Sequence, residues 1–145
     1  MLEVLAILHA ISAIAMFGLI WFVQIVHYPL FSLVGAEGFT TYELQHQRRT
    51  TWVVAPLMCV EAITAVSLMF YVPSGGMRWI AILGFLLVAC NWLATAFLQV
   101  PCHRRLATSY DADVAKRLVR SNWIRTIAWS VRVPIALALL YAVNA

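Results

Sequence analysis

Charge is what this sequence has least of: 11% of its 145 residues are Asp, Glu, Lys or Arg, against 63% hydrophobic. A water-soluble domain of this length has too little interior to hide so much apolar surface. Acidic residues are the scarcer sign, six against ten Lys/Arg. Only three cysteines are present, Cys59, Cys90 and Cys102, and no two form a CxxC pair, so a disulfide or zinc framework is not indicated. Cys59 and Cys90 read as small helix residues, and Cys102, beside His103, is the one with ligand character. No P-loop, GxSxG elbow or HExxH occurs, which argues against nucleotide hydrolysis, serine-hydrolase chemistry and zincin chemistry. No inverted repeat supports an alternating-access transporter.

What the chain has instead is long apolar runs. Val4–Leu33, Thr51–Val72, Trp79–Val100 and Ile124–Val143 are each of bilayer-spanning length. They predict an all-α integral membrane four-helix bundle in which residues 1–145 form a single domain. The first run is preceded by Glu3 rather than a basic n-region and is too long for a cleaved leader, so it reads as a retained helix. Arg48 and Arg49 follow the first span, and Arg104, Arg105, Lys116, Arg117 and Arg120 follow the third, while Arg78 stands alone on the other side. The positive-inside rule then puts both larger connections in the cytoplasm and both termini outside, as in a multi-pass protein of a bacterial-type inner membrane. The +4 net charge is thereby topological and gives no support to nucleic-acid binding. Trp52 and Trp123 at the inner boundary, with Tyr71, Trp79 and Tyr141 at the outer one, fit interfacial belts.

The polar residues inside these spans are the candidates for function, because polar groups in hydrocarbon need a partner or a task. The first span carries His9, Ser12, Gln24 and His27, with a kink or stop expected at Pro29. Small residues Ala10, Ala13 and Gly18 allow close helix approach and make a homodimer plausible. A loop is expected from Val34, with Thr40–Glu43 resembling a capping signal. The helix entered there passes Glu43, His46 and Pro56 to Glu61. Val72–Gly76 reads as a tight external turn. The third span carries a row at i,i+4 spacing, Asn91, Thr95, Gln99 and His103, broken near its end by Pro101. Asp111 is a helix N-cap, and Asn122, Arg125, Trp129 and Arg132 form one stripe ahead of Pro134.

Placed by depth, these residues crowd into the cytoplasmic half and predict one polar cavity there. Glu61 and Arg132 lie at matching depth and read as an intramembrane ion pair, either a register-fixing contact or a catalytic couple. In the catalytic reading Glu61 or His27 accepts a proton, while Arg125 and Arg132 stabilise a developing oxyanion or enolate. Glu61→Gln is then expected to abolish turnover and leave the fold intact. Gln24, Asn91, Gln99, Asn122 and Trp129 are the candidate substrate contacts. Glu43-x-x-His46 has the i,i+3 spacing that di-iron bundles use, and with His103 it makes a candidate metal set.

The text from Val100-Pro101 to Asn122-Trp123-Ile124-Arg125-Thr126 resembles the anthrone-oxygenase-like family of small four-helix membrane proteins, over about a third of the chain. There a VP closes the third helix, and a W/N-x-x-R-T pattern opens the fourth. The resemblance implies oxygenation of a polycyclic anthrone to a quinone, without an established metal, and points to Asn122 and Arg125. A weaker likeness, through His9 and the stretch Arg48, Arg49, Pro56, Leu57, Met58, is to the HemJ-type protoporphyrinogen oxidases, and implies haem. The expected function is thus a membrane-embedded redox or oxygenase-type enzyme acting on a lipophilic aromatic or quinone-like molecule. The alternatives are a haem- or metal-binding membrane protein and a non-catalytic binder of lipid or a partner helix. The expected partners are the bilayer and a lipophilic small molecule.

Overall fold

The computed structural model describes residues 1–72 and 75–144, so the Pro73–Ser74 part of the expected external turn lies outside the described residues. Helix α1 covers Leu2–Phe22, α2 Ala36–Tyr71, α3 Gly76–Ala94, α4 Val100–Leu106 and α5 Ala112–Asn144. A π-helical turn, Val23–His27, and a 3-10 turn, Pro29–Leu33, extend α1, and a second π-helical turn, Thr95–Gln99, joins α3 to α4 into one rod. The chain is therefore four antiparallel rods, each long and apolar enough to cross a membrane. No strand is present among the described residues.

The two π-helical turns have one cause. Pro29 and Pro101 lack an N–H, and in an unbroken α-helix their rings would strike the carbonyls of Ile25 and Phe97. Widening the preceding turn absorbs the misfit, with Tyr28 N–H donating to Val23 O and Val100 N–H to Thr95 O. Both turns lie at the basic end of the bundle, and each brings in a buried glutamine, Gln24 and Gln99. Pro56 and Pro134, by contrast, sit within continuous α-helix.

The expected loop after Val34 is nearly absent. Gly35, with φ 80°, reverses the chain in one step and serves as N-cap of α2, so Thr40–Glu43 is helical rather than a cap. At 36 residues α2 is about 54 Å long, and α5 with 33 about 50 Å. A hydrocarbon core of about 30 Å leaves roughly 20 Å of each helix beyond it. Asp111 caps α5 as expected, its Oδ1 accepting the N–H groups of Asp113 (2.9 Å) and Val114 (3.1 Å).

Side chains are sorted for an apolar solvent. Ile11, Trp52, Ile63, Phe70, Leu86, Phe97 and Ile127 face outward, while His9, Gln24, Glu43, Glu61, Asn91 and Asn122 are buried. Ala10 and Ala13 pack with Ala136 of α5, so these small residues serve contact within the chain, while Gly18 faces open space. Gly84 brings α3 against α5, since a Cβ there would lie 3.1 Å from Ile135 Cγ2.

Candidate functional site

The buried polar residues form two groups separated along the bundle. Glu43 and Glu61, both on α2, mark their levels about 27 Å apart at 1.5 Å per residue.

The group nearer the termini is built on a mutually satisfied ion pair. Arg132 Nε donates to Glu61 Oε1 at 2.8 Å, and both side chains are 1% exposed. Trp129 Nε1 donates to both Glu61 oxygens, at 3.1 and 2.9 Å. The rest of the Arg132 guanidinium meets the Gly84 carbonyl oxygen and His9 Nε2, and His9 Nδ1 is 2.9 Å from Thr64 Oγ1. Four helices meet here in one hydrogen-bonded clamp. The ion pair anticipated between Glu61 and Arg132 is formed, and His9 and Thr64 join it. Asn91 is fully buried in α3, and both its amide atoms lack a hydrogen-bond partner.

The group at the basic end surrounds open space. A cavity of about 420 Å³ lies between α1, α2 and the α3–α4 rod, with Arg125 of α5 reaching into its wall. Its apolar lining includes Leu19, Ile20, Val54, Met58 and Trp92, and its polar lining Tyr28, His46, Gln99, His103 and Arg125. That combination of apolar walls and a few convergent polar groups is the usual form of a small-molecule site.

One relay ends in this cavity. Glu43 Oε1 lies 2.6 Å from His103 Nδ1 and also accepts from Gln47 Nε2 at 3.0 Å. Gln47 Nε2 donates as well to the His103 carbonyl, which fixes the pair. A carboxylate oxygen that already accepts from an amide assigns the Nδ1 hydrogen to the imidazole, leaving Nε2 as an acceptor. Tyr28 OH, 3.0 Å from that Nε2, is then the donor. The order carboxylate, imidazole, hydroxyl is the geometry by which a histidine is oriented to take a proton. Tyr28 also lies beside Arg125.

A second contact joins His27 Nε2 to His46 Nδ1 at 2.7 Å, with Thr50 Oγ1 3.1 Å from the same Nδ1. His46 faces the cavity, whereas His27 lines a smaller groove of about 260 Å³ beside Arg49 and Phe22. Gln24 sits one layer away from Glu61: its Oε1 accepts from Asn122 Nδ2 (2.9 Å) and Thr126 Oγ1 (3.3 Å), and its Nε2 donates to the Val119 carbonyl. Arg125 Nη1 donates to Asn122 Oδ1 at 3.2 Å, and its guanidinium stands 5.1 Å from the Trp129 ring centre. Trp129 thus touches both groups, with its N–H on Glu61 and its ring face under Arg125.

The anticipated i,i+4 row divides at the π-helical turn. Thr95 bonds back to the Asn91 carbonyl, Gln99 Nε2 reaches Ser121 of α5, and His103 turns to Glu43 of α2. Glu43 and His46 likewise go to different partners. Among the described residues no group of three or more His, Cys, Asp or Glu has the arrangement to hold a metal ion. His9, the residue suggestive of haem, has both ring nitrogens engaged by Thr64 and Arg132, so it offers no lone pair to an iron. Glu43, His46 and His103 are thus not arranged as a metal set, and His9 is not placed as a haem ligand.

Sequence reading missed Tyr28 and Gln47. Tyr28 had one usable signal, its place between His27 and Pro29 at the end of a polar helix face. Gln47 had none, because its role depends on α4 arriving beside α2. No family model matches the chain, and no curated protein or solved structure is significantly similar to it.

Proposed function

We propose that this chain is a membrane-embedded enzyme acting by acid–base chemistry on a lipophilic aromatic or quinone-like molecule held in the basic-end cavity. The observation that carries the proposal is the Glu43–His103–Tyr28 relay opening into an apolar chamber beside Arg125. His103, oriented by Glu43, takes the proton that the substrate gives up through the Tyr28 hydroxyl, and Arg125 stabilises the negative charge left on the substrate oxygen. The site differs from the one the spacing favoured. Glu61 and Arg132 neutralise each other, all their reach is spent on protein partners, and neither lines the cavity, so their role is to lock α2 to α5.

The resemblance in the last third of the chain supplies the reaction class. Deprotonation of an anthrone-type methylene gives an enolate that dioxygen oxidises, so that the methylene and one dioxygen become a carbonyl and one water. In this reading the basic end lies in the cytoplasm and the cavity draws from the inner leaflet.

The test is turnover of a panel of anthrones and quinols by protein in lipid nanodiscs, followed by absorbance and oxygen consumption. Tyr28→Phe and His103→Gln are expected to lower kcat by about 100-fold or more, the scale of one acid–base group. Both variants should keep the wild-type helical content. Undiminished turnover in both would remove the relay from the mechanism.

A further inference from the structure

We propose that the cavity takes an acidic lipophile: a molecule whose ionised oxygen pair seats on Arg125 and whose apolar body reaches the site sideways from the bilayer. This deepens the enzyme reading above and rests on it.

Arg125 is 5% exposed and cannot shed its charge. Yet no carboxylate pairs with it among the described residues. Its neighbours, the Asn122 amide oxygen, the Trp129 ring face and the Tyr28 hydroxyl, are neutral groups. The chain neutralises Arg132 completely with Glu61, so the contrast between the two buried arginines is specific. An uncompensated buried cation is costly, and it persists in native proteins where an anion or a task offsets it. The free groups also have a shape. Nη1 is bound to Asn122 and Nε is buried without a partner, so the Nε–Nη2 edge has no protein oxygen beside it other than the neighbouring Tyr28 hydroxyl. That edge matches two adjacent oxygens sharing a negative charge, as in a carboxylate or an ionised hydroxyquinone. Gln99 Oε1, also buried without a partner on the same wall, accepts a hydroxyl from the ligand.

The way in is between α2 and the α3–α4 rod. Thr51, Trp92 and Arg104 line the cavity and are also exposed on the outer surface, with half-buried Ala55 and Val100 between them. On a surface of apolar side chains this opening faces lipid, and Arg104 at its rim adds a second positive charge for an anionic head.

Three probes with one alkyl tail decide the matter in nanodiscs of neutral phosphatidylcholine: a 2-hydroxy-1,4-naphthoquinone, ionised at neutral pH; its 2-methyl ether; and a fatty acid. At least one acid should bind wild type tenfold or more tighter than the ether, and which acid does so separates a hydroxyquinone from a carboxylate ligand. Arg125→Gln should erase the preference for the acid over the ether, Arg125→Lys should keep part of it, and Ala55→Trp should slow association of every probe. Equal binding of acids and ether by wild type overturns the inference and leaves the enzyme reading standing, and this comparison needs no variant to fold. Failure of all three to bind wild type overturns the reading of the cavity as a ligand site, and the inference with it.

Discussion

Replacing Glu61 by Gln tests whether the central ion pair is structural. Glu61 accepts two hydrogen bonds from Trp129 and one from Arg132, and Arg132 is 1% exposed. A glutamine keeps the volume and one acceptor, but leaves the guanidinium without an anion in a low-dielectric interior. Breaking a buried pair from one side costs about 3–5 kcal/mol, most of it the penalty of the orphaned charge. The same argument applies to Arg132→Met, which strands the Glu61 carboxylate. Replacing both, as Glu61→Leu with Arg132→Met, removes the charges together and should restore most of the loss, because apolar substitution of a whole pair is often neutral or stabilising. The assay is reversible unfolding in mixed micelles, followed by circular dichroism, for Glu61→Gln, Glu61→Leu, Arg132→Met and the double variant. A double variant as unstable as the sum of Glu61→Leu and Arg132→Met would refute the reasoning. So would an Glu61→Gln protein of wild-type stability that had lost turnover, which would return Glu61 to the chemistry.

Other consequences follow from local geometry. Asp111→Ala removes an N-cap that serves two N–H groups and should cost about 1 kcal/mol in the same unfolding assay, with Asp111→Asn losing far less. Gly35→Ala forces a Cβ into positive φ at the α1–α2 reversal and should cost about 1–2 kcal/mol, although the space around it is open. At Gly84 the obstacle is space: an added methyl meets Ile135 at 3.1 Å and pushes α3 away from Arg132, so Gly84→Ala should destabilise by about 1–3 kcal/mol and Gly84→Val by more.

The rods were legible because bilayer length and apolar composition act residue by residue, without help from tertiary context. The stripe Asn122, Arg125, Trp129, Arg132 was legible for a similar reason, since α-helical periodicity carries through all of α5, and all four side chains are buried. Two features hid the rest. Proline-induced π-helical turns re-aim Gln24, His27, Gln99 and His103 by an amount that 3.6-residue counting does not give, so the third-span row parts toward different helices. Gln24 belongs with Asn122 of α5, a pairing that residue spacing within α1 does not give. Matching depth was right for Glu61 and Arg132, yet depth does not distinguish a closed pair from an open site. That distinction lies in which unpaired donors and acceptors lie beside open space: Arg125 and Gln99 line the cavity, whereas Asn91, also unpaired, does not.

The measurement closest to the central claim is a structure in lipid nanodiscs with the alkyl hydroxynaphthoquinone present. Density for the headgroup against Arg125 and Tyr28, with the tail leaving between α2 and the α3–α4 rod and Glu61 still clasped by Arg132, is the predicted result. Density at Glu61, with Arg132 swung away and the basic-end chamber filled by Trp92 and Met58, would contradict it.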